Sequence, residues 1–314
     1  MASKLNAMLL QKNQRILVTG GTGFIGVPLC NMLLLQGHSV TVLTRDVIKA
    51  NTLFDGRVTL VGDMARVAND TAFDVIINLA GETVSQRWSD DAKARIINSR
   101  VSVTQALVDY VARAAHKPRV MISGSALGYY GVSDSLEFTE SSTPTTDSFS
   151  AFPRDVCAKW EAVAQKVEAC GVRLCVLRTG VVLEKNGGAL GQMLLPFKLG
   201  LGGPMGSGQQ WFSWIHRDDL IGMMVHLINQ DELRGAFNGT APNPVRNVEF
   251  AKALGRALHR PSFMPLLPFQ IRLLFGEMGD VLLLAGQKVL PRNAQASGFV
   301  FGYADVDDAL RGVF

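Results

Sequence analysis

Residues 19–26 read Thr19-Gly20-Gly21-Thr22-Gly23-Phe24-Ile25-Gly26, which places glycines at 20, 23 and 26. Each spacing has its own use. The first glycine permits a sharp bend from strand to helix. The second lets the main chain close on an anionic ligand, and the third lets helix and strand pack tightly. A helix that opens here directs free N–H groups and a partial positive charge at the same ligand. The flanks agree with this reading. Arg15–Thr19 (RILVT) is a short, β-branched run ending in the glycines, and residues 24–36 carry apolar side chains at helical spacing. Gly37 stops that helix ahead of a second strand at Ser39–Leu43. A strand, glycine turn, helix and second strand together cradle a pyrophosphate. Gly20, Thr22, Gly23, Phe24, Ile25 and Gly26 are expected to line it.

The same rhythm runs on. Residues 58–61, 74–79, 120–123 and 173–177 read as the third to sixth strands. A long helical pattern fills 89–115 and opens on Ser89-Asp90-Asp91, a capping residue with an acidic first turn. Residues 155–169 form another helix, closed by Gly171. Strands alternating with helices specify an α/β fold, a doubly wound parallel sheet of the Rossmann type. After Gly180 the pattern changes: residues 187–208 hold eight glycines and two prolines, and 211–215 are aromatic-rich. From Pro242 short helices alternate with Pro-containing turns. The expected organisation is a Rossmann domain over 1–183 and a smaller C-terminal substrate lobe over 184–314. Residues 211–238 are expected to return to the first domain.

The end of the second strand selects the dinucleotide. An NAD site usually has an acidic residue there for the ribose hydroxyls, whereas this chain has Leu43-Thr44-Arg45-Asp46. Arg45 suits a 2′-phosphate through paired, charge-assisted hydrogen bonds, which favours NADP(H). The alternative makes Arg45 a surface residue and gives the ribose to Asp46. Leu79, Ala80 and Gly81 end the fourth strand where the cofactor crosses, and the small Ala80 and Gly81 suit close approach. Asp63 ends the third strand within reach of an adenine amino group, and Ser123 ends the fifth. Asn, Asp and Gly also serve at strand ends as plain turn residues. At successive strand ends of one sheet edge they form one crevice.

Composition narrows the partners. Apolar residues make up 47% of 314, enough for a sizeable core. Thirty-one Lys and Arg against 27 Asp and Glu leave a net charge of +4, and the basic residues are scattered. Nucleic acid is therefore not expected as a partner. Cys30, Cys157, Cys170 and Cys175 show no C-x-x-C spacing, so no metal site is expected, and free buried thiols suit a reducing compartment. Residues 1–14, with Lys4 and Lys12 around a short apolar run, are too short for a secretory signal core. The longest apolar stretch, 263–286, is broken by Arg272, Glu277 and Asp280, which argues against a membrane span. It is expected to pack on the lobe rather than dock on a membrane or partner. A cytoplasmic monomer or homodimer acting on a small molecule is the expectation.

The chain resembles the extended short-chain dehydrogenase/reductases over nearly its full length. The motifs are TGGTGFIG, NLAG at 78–81, SGSALGYYG at 123–131, LRTGVVL at 177–183 and WIHRDDL at 214–220. INLAGETV at 77–84, RWSDDAKARIINSR at 87–100, Cys157 with Trp160-Glu161, and the GFVFGYADVDDAL tail resemble an atypical branch. That branch is the nucleoside-diphosphate-sugar epimerase-like family of the bacterial YfcH type. The resemblance implies an NADP-binding Rossmann domain, a C-terminal substrate lobe, and Glu82 and Arg178 near the cofactor. It also implies a Ser, Tyr and Lys in which Tyr is the acid/base, Lys lowers its pKa and Ser orients the substrate oxygen. Ser125 stands at the Ser position, but Pro153 and Cys157 stand where Tyr and Lys belong, and Lys159 is displaced by two residues. Tyr129 and Tyr130 are the alternative acids, and each reads equally well as an aromatic packing residue. Trp88, Arg100, Trp211, Trp214, His216 and Arg217 can line a substrate pocket; alternatively the Trp residues are core and Arg217-Asp218-Asp219 opens a helix. Two functions remain open: an NADP(H)-dependent oxidoreductase or epimerase, and a non-catalytic NADP(H)-binding regulator.

Overall fold

Alternate residues of a strand point to opposite faces of its sheet, so a strand buried on both faces must be apolar throughout. The first strand, β1 (Arg15–Thr19), shows this: Ile16 and Val18 enter one core and Leu17 the other. In the computed structural model, which describes Leu10 and residues 13–314, this sheet is the spine of the molecule. Lys4 and Lys12 lie outside the described residues.

The strands are β2 (Ser39–Leu43), β3 (Thr59–Val61), β4 (Val75–Asn78), β5 (Val120–Ala126), β6 (Ser133–Phe138), β7 (Arg173–Thr179), β8 (Val181–Leu183), β9 (Trp211–Phe212), β10 (Trp214–His216), β11 (Gly235–Gly239), β12 (Val245–Arg246) and β13 (Gln287–Val289). Seven of them form the central sheet in the order β11-β7-β5-β4-β1-β2-β3, every pair parallel. Strand order reverses between β1 and its neighbours β2 and β4, and a ligand crevice opens at the carboxyl ends on either side of such a point.

The helices Gly26–Leu35 and Arg217–Asn229 cover one face, with Leu29, Leu33, Leu220 and Met224 in its core. Asp90–Arg113 and Ala151–Gln165 cover the other, through Leu107, Val111 and Ala164. Ser89 caps the first of these by accepting from the Ala92 amide, as its position predicts. The second begins earlier than its periodicity suggests, because Pro153 sits in the first turn, where its missing N–H costs nothing.

A third core gathers Leu190, Leu194, Phe197, Trp214, Phe250, Leu254, Val306 and Leu310 from Gly188–Lys198, β10, Asn247–Leu258 and Val306–Val313. This lobe leans on the sheet edge near the glycine turn. The Phe24 ring lies beneath the loop at Gly187 and Gly188, where an added Cβ at 187 would come within 2.6 Å of it. Lys93 pairs with Glu277 at 2.6 Å, and Arg87 donates to the Leu273 carbonyl at 2.9 Å. Among the described residues no helix is long and apolar enough to cross a membrane, and no cluster of His, Cys, Asp and Glu suits a metal ion.

Candidate functional site: a crevice at the carboxyl edge of the sheet

The turn after β1 is locked to the turn after β4. Thr19 donates its hydroxyl to Asn78 Oδ1 at 2.7 Å, and Asn78 Nδ2 donates to Thr104 at 2.8 Å. The Leu79 and Ala80 amides donate to the Thr19 carbonyl and hydroxyl, both at 3.1 Å. Gly20 has φ +67°, and a Cβ there would lie 2.6 Å from the Leu79 carbonyl oxygen. A Cβ on Gly26 would lie 2.2 Å from the Gly20 oxygen, so the turn closes only with hydrogen at both positions. Gly23 donates its amide back to Gly20 at 3.0 Å, and the helix behind it begins at Ile25 without a side-chain cap. An uncapped helix start fits a diphosphate that would take up the orphan amides.

The β2 end is open. Arg45 is exposed, whereas Asp46 caps the Val47–Phe54 helix by accepting from the Lys49 amide at 2.9 Å. Asp63 is likewise occupied, accepting from the Ala65 amide at 2.9 Å in the short turn after β3. Glu82, half-buried after β4, accepts from Gln86 and Arg95, and these bonds hold its carboxyl below the usual range. Arg45 lies within electrostatic reach of that carboxylate.

On the β5 side the residues named from the sequence meet, but in a closed network. Ser125 donates to Glu161 Oε1 at 2.6 Å. Arg178 holds the same carboxylate through two bonds, at 2.9 and 2.8 Å, and its Nη1 donates to the Tyr130 hydroxyl at 3.0 Å. Tyr130 donates on to Asn238 Oδ1 at 2.7 Å. Burial works against the charge on Arg178, but Glu161 outweighs it and holds the guanidinium above its ordinary pKa. Burial also pushes the Tyr130 phenol up to about 12. These facts correct one sequence expectation. Tyr130 is 0% exposed with its hydroxyl committed to Asn238, so it does not stand ready as the acid. Arg178, also buried, spends its donors on the same network. Ser123 lies beneath the crevice floor, 1% exposed, with its Oγ 3.4 Å from Asn78 Nδ2.

Tyr129 stands differently. Its ring stacks under the Arg178 guanidinium at 3.3 Å and edge-on to Tyr130, and its hydroxyl makes no hydrogen bond within the described residues. Cys157 packs its thiol 3.5 Å from the Ala126 carbonyl, and burial raises its pKa to about 11. Lys159 points outward and pairs with Asp155 at 2.7 Å.

Of the remaining candidates, Trp88 stays at the rim, edge-on to Phe152 at 4.8 Å, and Arg100 lies under Gly81. The other four hold the lobe together. Trp214 is fully buried in the lobe core, and Trp211 donates to the Asp134 carbonyl under Arg246. His216 stacks on Tyr303 and accepts from the Asp218 amide, and Arg217 pairs with Glu184 at 3.0 Å. Sequence reasoning assigned no role to Glu161, the centre of the network. Its only signal is a carboxylate four residues after Cys157, on an inward helix face.

The sheet order, the glycine turn at the reversal point and the crevice beside it define a Rossmann-type dinucleotide-binding protein. Residues 16–238 match the model of the NAD dependent epimerase/dehydratase family, and 268–313 match a domain of unknown function, DUF1731. The chain belongs to the NAD dependent epimerase/dehydratase family. It is 39% identical over 300 residues to the human epimerase family protein SDR39U1, covering 95% of this chain and 98% of that one. An Arabidopsis thaliana homologue of that protein, called chloroplastic, is 41% identical over 309 residues, 96% of this chain and 87% of its own. The crystal structure of human SDR39U1 (isoform 2) with NADPH superposes with a TM-score of 0.86 at 36% identity, over 95% of this chain and 98% of that one. A nucleoside-diphosphate sugar epimerase structure from Corynebacterium glutamicum gives 0.77 at 30% identity, over 98% of this chain and 60% of that one.

Proposed function

We propose that the chain binds NADP(H) across the carboxyl edge of its sheet and uses it on a small carbonyl or sugar-nucleotide substrate, by reduction, oxidation or redox-assisted epimerisation. The observation that carries this reading is the interlocked turn at 19–26 and 78–80, whose Gly20 and Gly26 admit no Cβ and whose helix start lacks a cap. Arg45 is free to pair with a 2′-phosphate because Asp46 is already capping a helix. NADPH in the human relative and the sugar-nucleotide name of the C. glutamicum relative support the same reading. Bound there, the nicotinamide supplies or accepts a hydride. The chain's own residues orient the partners and manage the proton. Tyr129 keeps a free hydroxyl to exchange a proton with the substrate oxygen, and Arg178 fixes its ring. The Glu161–Arg178 pair holds Ser125 and the segment after β5 in place.

A second reading has its own observation. Ser125 and Tyr130 are committed to the buried network and a neutral Cys157 occupies the helix beside them, an arrangement that also suits cofactor binding without turnover. Calorimetric titration with NADPH and NADH, followed by carbonyl and sugar-nucleotide panels run with NADPH and with NADP+ and read by cofactor absorbance and by epimeric product, separates the two. NADPH is expected to bind more tightly than NADH, and Arg45→Ala to weaken NADPH about tenfold or more with NADH little changed. Tyr129→Phe should retain binding and lose turnover. Binding with no NADPH consumed, no NADP+ reduced and no epimerised product from any panel member sinks the catalytic reading in favour of the second. Absence of binding sinks both.

A further inference from the structure

A guanidinium with donors to spare lies at the edge of this crevice, on the side away from Arg45. Arg100 sits on the Asp90–Arg113 helix and donates one bond, Nη1 to the Ile96 carbonyl at 2.9 Å. Its Nη2 and Nε meet no acceptor among the described residues, and neither atom is sealed from solvent. No carboxylate among the described residues lies within ion-pair distance. Glu82, the nearest acid in electrostatic terms, gives its carboxylate to Arg95 and Gln86. Arg178, a second cation on this side, is committed to Glu161 and Tyr130, and Arg95 to Glu82.

The surroundings are shaped around that group. A Cβ on Gly81 would lie 2.8 Å from the Arg100 guanidinium carbon and 3.0 and 3.1 Å from Nη2 and Nε, so the absence of a side chain at 81 is what admits the guanidinium. The Trp160 ring lies 5.2 Å away, a cation–π distance that steadies it. Cys157, one turn before Trp160 on the same helix, is held neutral by burial and supplies no counter-charge to it.

Topology says what reaches this place. With the diphosphate on the turn after β1 and one end of the dinucleotide toward Arg45 beyond β2, the other end must run over the residues that follow β4. Those residues are Leu79, Ala80 and Gly81. We infer that Arg100 is the cation of the nicotinamide half-site, donating Nη2 and Nε past Gly81 to the ribose or carboxamide oxygens of the nicotinamide nucleotide. This assignment rests on the dinucleotide reading above and adds a residue to it. The guanidinium provides planar, paired donors to neighbouring oxygens, which a lysine at the same position would supply only as a point charge.

Calorimetry on the full chain with two ligands tests it: NADPH, and 2′,5′-ADP, which ends before the second phosphate and the nicotinamide ribose. Arg100→Met is expected to weaken NADPH about tenfold to a hundredfold and to leave 2′,5′-ADP within about twofold. Arg100→Lys keeps the charge and should fall between. It also guards against a folding defect, since it retains an aliphatic stem and a cation over Trp160. Equal losses for both ligands, or an undiminished NADPH affinity in Arg100→Met, overturn the assignment while leaving the cofactor reading intact. A wild-type chain that takes up neither ligand overturns the cofactor reading and this assignment with it.

Discussion

On the β1–β2 side of the crevice the surface offered to a ligand is main chain, whereas on the β5–β7 side it is underlaid by a buried ionic network. Residues 19–26 lie close to one another in sequence, and the demands on them are steric: Gly20 and Gly26 have no room for a Cβ. Ser125, Glu161, Arg178, Tyr130 and Asn238 come from four separate stretches of the chain and meet only after the sheet, its covering helix and the edge strand β11 assemble. The first side is pre-shaped by geometry and tolerates change at its exposed rim. The second depends on matched charges in a dry interior, where losing one partner is far worse than losing both.

The largest expected effect follows from that asymmetry. Glu161→Gln leaves Arg178 buried without its counter-charge, at a cost of about 3–5 kcal/mol in a urea or thermal unfolding measurement. Combined with Arg178→Met, part of the stability should return, because both charges then leave the interior. A single-variant loss below about 1 kcal/mol would mean that water already screens the pair, and the contrast between the two sides would fail. Next in size is Gly26→Ala. One methyl group forced against the Gly20 carbonyl is expected to cost about 1–3 kcal/mol and to abolish measurable NADPH binding, since the turn must open to admit it. If Gly26→Ala folds and binds as the wild type does, the steric account of the β1–β2 side is wrong.

This contrast also explains what could be read from the sequence. The glycine turn, the alternation of strand and helix that makes a parallel sheet, and Ser89 as a cap were legible because each is a local pattern with one physical meaning. So was the displacement of Lys159 onto another helix face, where it pairs with Asp155. The network was not legible, because nothing local distinguishes Glu161 from any solvated helical glutamate, nor Tyr130 from Tyr129. Only the direction of the short turn after β5 buries Tyr130 and leaves the neighbouring hydroxyl free. Strand β6 escaped too, because its partner β13 lies far along the chain and SDSLEF lacks an apolar alternation on its exposed residues. The helix over 47–54 was not legible because its 8 residues give only about two turns of periodicity, although its Asp46 cap was in plain view.

The smallest effect separates the two sides by acid. His38 stands just before β2, buried, with Nδ1 accepting from the Gln14 amide at 3.2 Å. Burial lowers its pKa from 6.5, so the folded chain holds it neutral where the unfolded chain takes up a proton. The sign follows: the unfolded state binds more protons as the pH falls below about 6.5, so stability drops through that range until the folded imidazole titrates as well. For a one-proton difference the slope cannot exceed about 1.4 kcal/mol per pH unit. Desolvation lowers His226 in the same direction, so removing His38 should take away only its share. His38→Asn offers an amide oxygen to the Gln14 N–H without a titrating group. It should therefore flatten the acid limb of the stability profile while leaving neutral-pH stability nearly unchanged. Hydrogen exchange at mildly acidic pH then locates the change: peptides spanning β1 and β2 in the wild type should lose protection before those spanning β5 and β7. Simultaneous loss of protection on both sides would show that the crevice opens as one unit, and that backbone and network are not independently held.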